Sequence, residues 1–185
     1  MENFVNFIIL IIIVLIISNL FFKKYYSFLP TIPIYPNNEM EAREVKKYIN
    51  SRTPEDVDFF YKTNKSVSAA FLPYVQENIN ELNALIHEPT HIILGFKYLI
   101  NRARPNQIDN TITPIDISTA QTPAYPAGHA FQAYYLAKKL SQKYPHLTKN
   151  LNQIANECDI TRVKAGLHYP SDGKFARYLV NKLYI

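Results

Sequence analysis

Three short blocks hold most of the side chains able to do chemistry. In Lys97-Tyr-Leu-Ile-Asn-Arg-Ala-Arg104-Pro105, two cations stand seven residues apart. Seven residues turn a helix through about 700°, within roughly 20° of the start, so on a continuous helix Lys97 and Arg104 share a face two turns apart. Like charges on one face repel unless an anion sits between them. A solvated basic face is the plainer reading of this block alone, although Ile92-Ile93-Leu94-Gly95-Phe96 would solvate Lys97 poorly. The second block, Tyr125-Pro126-Ala127-Gly128-His129, leads into an amphipathic stretch. A Gly-His pair at a helix start offers free backbone N–H groups and the positive end of the helix dipole. His129 as a plain capping residue is the competing reading. The third block is Arg162 followed by His168-Tyr169-Pro170-Ser171-Asp172. Pro170 suits the first turn of a helix, which sets His168 just before that helix and Asp172 just inside it. A carboxylate on one ring nitrogen fixes the tautomer and leaves the other nitrogen as a nucleophile. Taken by itself, this is also what a surface His–Asp pair looks like.

Together the blocks supply Lys97, Arg104, Arg162, two histidines and a carboxylate. That inventory suits phosphoryl transfer through a histidine: cations for the equatorial oxygens, a nucleophile, and an acid for the leaving group. The fixed cations neutralise charge without a metal ion.

The order Lys-x6-Arg-Pro (97–105), Pro-Ala-Gly-His (126–129) and Thr-Arg-x5-His-x3-Asp (161–172) resembles the signature of the type 2 phosphatidic acid phosphatase superfamily, shared with vanadium haloperoxidases and bacterial class A acid phosphatases. The resemblance implies an all-α helical bundle and a metal-independent, cofactor-free phosphatase acting on a phosphate monoester or diphosphate. It implies that Lys97, Arg104, Arg162 and the Gly128 amide bind phosphate. His168 becomes the phosphohistidine, Asp172 orients it, and His129 protonates the leaving oxygen and then activates water. Two positions depart from the pattern. Ala127 stands where the family has serine, removing one hydroxyl donor, a loss that can cost about 10²–10³ in rate. Thr161 replaces the serine before Arg162. A vanadium-dependent haloperoxidase and a catalytically weakened phosphate binder are the neighbouring alternatives. A remoter one is a zinc peptidase, because His87-Glu88-Pro89-Thr90-His91 fits H-E-x-x-H. That motif needs both histidines on one continuous helix, which Pro89 interrupts.

These side chains need elements to hold them. The 185 residues are 48% hydrophobic and 19% charged, which excludes a disordered tail, and the single Cys158 excludes a disulfide framework. Four glycines and no G-x-G-x-x-G argue against a nucleotide loop. Phe4–Phe22 is apolar apart from Asn6, Ser18 and Asn19, and as a helix would reach roughly 28 Å, close to one hydrocarbon core. It reads as a retained single-pass membrane anchor (residues 1–24), with Lys23 and Lys24 placing the domain on the cytoplasmic side. Residues 25–38, with Pro30, Pro33 and Pro36, form an extended linker, and 39–185 form the helical phosphatase-like domain. Helices are predicted over Met40–Ile49, from Thr53-Pro54-Glu55-Asp56, over Val75–Ile86, from Thr90 to Arg104, over Gly128–Tyr144, along Leu147, Leu151, Ile154 and Cys158, and over Ser171–Leu183. The net charge of +5 suits a phosphorylated small molecule or lipid. No basic stripe interleaved with aromatics points to nucleic acid. Asn64-Lys65-Ser66 is a glycosylation sequon that matters only if the domain is lumenal or extracellular.

Overall fold

The computed structural model describes residues 31–184; every regular element among them is a helix, with no strand, and a long irregular segment joins Ile108 to Gly128. The expected membrane anchor lies outside the described residues, as does the first part of the linker. Among the described residues no helix is long and apolar enough to cross a membrane.

The elements are α1 (Asn38–Asn50), α2 (Pro54–Asn64), α3 (Ser68–Phe71) continued by a 3₁₀ turn, α4 (Ile79–His87), α5 (Thr90–Ile100), α6 (Pro105–Ile108), α7 (Gly128–Lys143), α8 (Thr148–Lys164) and α9 (Pro170–Leu183). Local chemistry sets several of these boundaries. Thr53 and Asp56 form a reciprocal capping box ahead of Pro54. Asn78 and Glu81 form another, so α4 begins at Ile79 rather than at the predicted Val75. Glu88 and Pro89 separate α4 from α5, leaving His87 and His91 on different helices.

The structure corrects one expectation that concerned the site directly. α5 does not run on to Arg104. Asn101 adopts the left-handed conformation (φ 53°) and its N–H closes onto the Lys97 carbonyl at 2.8 Å, which ends the helix at Ile100. Asparagine tolerates that geometry better than most residues. Arg104, before Pro105, is extended (φ −79°, ψ 158°), as a residue preceding proline prefers. Lys97 and Arg104 therefore do not share a helix face.

α7 is the central helix. Phe131, Tyr135, Leu136 and Leu140 bury one side of it against Leu151, Ala155 and Cys158 of α8, Ala176 and Val180 of α9, and Leu82 and Ile86 of α4. α2 packs across α8, with Phe60 beneath Ala165 and Leu167. α8 and α9 approach closely because Gly173 has no side chain: a Cβ there would fall 1.8 Å from Asp159 Oδ1. This packing fixes the ends of α5, α7, α8 and α9 relative to one another.

Candidate active site

Lys97 lies on the inner face of α5, only 4% exposed, and its Nζ donates to the Pro123 carbonyl at 2.5 Å. It crosses the start of α7: a Cβ built on Gly128 would sit 3.6 Å from Lys97 Cε, an ordinary contact distance, so the lysine stem runs directly beside the helix terminus. No side chain caps α7, because Ala127 occupies the N-cap position. The amides of its first turn have no partner within the helix.

Arg104 reaches the same region from its extended segment. Nε and Nη2 donate to the Thr122 carbonyl (3.0 and 2.8 Å), and Nη1 to the Leu167 carbonyl at 2.9 Å. Nη1 also lies 3.1 Å from His168 Nε2. A guanidinium has no acceptor, so His168 Nε2 must hold its lone pair toward Arg104. The other ring nitrogen, Nδ1, lies 3.0 Å from Asp172 Oδ2 and carries the hydrogen. This is the tautomer that leaves Nε2 without a hydrogen, its lone pair turned toward the Arg104 guanidinium. Asp172 Oδ2 also accepts the Tyr169 N–H at 2.9 Å, which closes the first turn of α9 around the pair.

Arg162 enters from the last turn of α8 and is fully buried. Nη1 donates to Asn64 Oδ1 (2.9 Å) and Nη2 to Thr63 Oγ1 (2.8 Å), while its plane lies over Phe60 at 4.6 Å. Its Nε–H has no partner although it is shielded from water. A buried unpaired donor on a cation costs free energy unless a ligand accepts from it. His129 stands in the first turn of α7 with Nε2 3.0 Å from the Asn64 carbonyl. A carbonyl only accepts, so Nε2 carries the hydrogen and Nδ1 the lone pair.

The electrostatics express the same convergence. Burial first, then Arg104, Lys97, His129 and Arg162, hold His168 well below the usual imidazole range. Burial and then Arg162, with Lys97 and Arg104 further down, push His129 down to about 3. Burial and Arg104 pull Lys97 well down, whereas Arg104 and Arg162, pulled by burial to about 10, stay charged at neutral pH. Burial raises Asp172 above the usual carboxylate range, and the Arg102 charge opposes that rise. Without a ligand, the pocket thus holds two neutral imidazoles beside fixed positive charge. Among the described residues no group of three His, Cys, Asp or Glu side chains is placed to hold a metal ion.

The seven residues singled out in the sequence converge: Lys97, Arg104 and Arg162 all act on both His129 and His168, Asp172 holds His168, and Gly128 lies against Lys97. Several neighbours gave no local signal. Asn64 and Thr63 hold Arg162 across a separation of about 98 residues. Arg102, which lies inside the first block as spacing between Lys97 and Arg104, is fully buried and donates to Asp172 Oδ1 at 2.7 Å. The only trace of it in the sequence is a third cation within that block. No protein-family model and no curated protein matches this chain.

Proposed function

We propose that this chain is a phosphatase, a member of the histidine-phosphatase group that its three sequence blocks resemble, and that it hydrolyses phosphate esters through a covalent phosphohistidine. The observation that carries this reading is His168: its Nε2 lone pair, oriented by Asp172, faces Arg104 at 3.1 Å in a pocket where buried Arg162 keeps an unused N–H.

In the first step the substrate phosphate accepts from Arg104, Arg162, Lys97 and the first-turn amides of α7, beginning with Gly128. Nε2 of His168 attacks phosphorus. The N–P bond forms as the ester P–O bond breaks, and the departing oxygen takes a proton from His129. The ring of His168 gains positive charge, which Asp172 offsets through Nδ1–H. In the second step water attacks phosphorus, its proton passes to the now neutral His129, and the N–P bond breaks to release phosphate. Charge on the transferring group is balanced throughout by fixed cations, which work best where water is excluded. The apolar Phe4–Phe22 stretch would keep the domain beside a bilayer as a single-pass protein, with the cytoplasmic side favoured by Lys23 and Lys24, so a phosphorylated lipid or other amphiphile is the favoured substrate.

The test is phosphate release from an aryl phosphate in the presence of EDTA, with acid-labile label trapped on the protein during turnover. Both should be present in the wild type and absent in His168→Asn. Activity that a chelator abolishes, or turnover without labelled histidine, refutes this mechanism. Phosphate binding without turnover identifies a weakened binder, and halide oxidation that depends on added vanadate identifies the haloperoxidase alternative.

A further inference from the structure

Arg102 has no part in the steps above, yet every N–H of its guanidinium is engaged. Nη1 donates to Asp172 Oδ1 (2.7 Å) and Ser171 Oγ (2.6 Å), both at the start of α9. Nη2 donates to Glu41 Oε2 (2.6 Å) and the Pro36 carbonyl (3.4 Å), and Nε to Asn38 Oδ1 (2.9 Å). The Tyr35 and Tyr169 rings cover it at 4.4 and 3.8 Å. Glu41 in turn accepts the Ser171 N–H at 3.1 Å and its hydroxyl at 2.5 Å. One side of this cluster belongs to the His168–Asp172 pair. The other is the chain leading into α1, itself tied to the end of α5 by the Ile32 N–H on the Ile100 carbonyl at 3.2 Å.

We propose that Arg102 and Glu41 are positioning residues for His168, and that the segment from Ile32 to Glu41 is a working part of the site rather than a passive linker. Asp172 has a donor on each oxygen: Arg102 on Oδ1, His168 and Tyr169 on Oδ2. A carboxylate held on both oxygens cannot rotate, so Arg102 fixes the direction from which the imidazole is held. Glu41 sits on the far side of the same guanidinium, and the two carboxylates share one positive charge. Glu41 therefore sets how much of that charge Asp172 feels.

Asp172 is also faced by Lys97 from α5, by Arg104, and by Asp159 from α8, with the Tyr125 and Tyr169 phenols nearby. None of these changes in the variants below, so a shift between variants reports the Glu41–Arg102 pair. Glu41→Gln removes a negative charge and leaves Arg102 to Asp172 alone. Proton uptake by the His168–Asp172 pair should then move to lower pH, by on the order of one unit. The double variant Glu41→Gln/Arg102→Gln removes both charges together and leaves neither half-paired. It takes the cation from Asp172 Oδ1, so uptake should move to higher pH.

The shift is read in two ways: from the ¹⁵N resonances of the His168 ring in the free protein, and from the acid limb of kcat for aryl phosphate hydrolysis, the one readout that rests on the phosphatase reading. A wild type that hydrolyses nothing overturns that reading and leaves the ring titration to decide this one. Opposite shifts in the two variants support the proposal. Shifts of the same sign, or none in variants with native-like spectra, overturn it. Should the double variant fail to fold, Arg102→Lys replaces it, since lysine keeps a charge but cannot span both carboxylates; the proposal requires a smaller upward shift there and is refuted by none.

Discussion

Anion binding should load His129 with a proton. In the unliganded pocket its pKa is pushed down to about 3 by burial and by Arg162, Lys97 and Arg104, so it is neutral at pH 6. A leaving-group acid must be protonated when substrate is bound. Raising it from about 3 to about 7 takes roughly 4 units, or about 5.4 kcal/mol. One negative charge about 4 Å away supplies about 4 kcal/mol at an effective dielectric of 20, so a dianion supplies about 8 and suffices. Sulfate is the right probe because it does not titrate in this range. Binding measured by calorimetry at pH 6 in buffers of different ionisation enthalpy should show uptake of close to one proton per sulfate. The sign follows from the direction of the shift: the bound state holds a proton that the free state lacks. Affinity therefore rises about tenfold for each pH unit lowered through this window, until the free imidazole itself titrates near pH 3. His129→Asn should lower the uptake by nearly one proton, which separates His129 from Lys97, whose own value is depressed. A binding enthalpy that ignores the buffer, or equal uptake in wild type and variant, would refute the role given to His129.

Asp159 is buried with one oxygen unpartnered and its pKa raised to about 7, chiefly by burial. Folded and unfolded chains both protonate it below about pH 4; from there to about pH 7 the unfolded chain ionises and the folded one does not, so stability falls across that window, and Asp159→Asn should match the wild type near pH 4 and exceed it at pH 8 by on the order of 2–4 kcal/mol in urea unfolding. An equal difference at both pH values would contradict this. Ala127→Ser puts a hydroxyl at the extended N-cap of α7, which should stabilise the protein by about 1 kcal/mol in thermal melts. The same hydroxyl can serve as an additional donor to phosphate, so turnover should rise, by up to about 10²–10³-fold; unchanged turnover would show that the hydroxyl is dispensable here.

Much of the helical organisation was legible because its signals are local. Thr53-Pro54-Glu55-Asp56 carries its own capping chemistry, and the Leu151, Ile154 and Cys158 spacing marks the buried face of α8. The end of α5 was not legible from periodicity, since apolar spacing continues past Asn101 while the backbone turns left-handed there. Lys97 and Arg104 meet nonetheless, by a route the helical-face reasoning did not contain: the Thr122 and Pro123 carbonyls collect both side chains.

The sequence by itself determined which cations, histidines and carboxylate are present and in what order, because those blocks are short and each carries its own spacing. Only the tertiary structure decided which histidine nitrogen is bare, which arginine donor is left unpaired, and that Arg102 links Asp172 to Glu41. Glu41 and Arg102 are 61 residues apart, and Glu41 and Ser171 are 130 apart. Contacts at that range come from packing helices into one core, and no local periodicity encodes them.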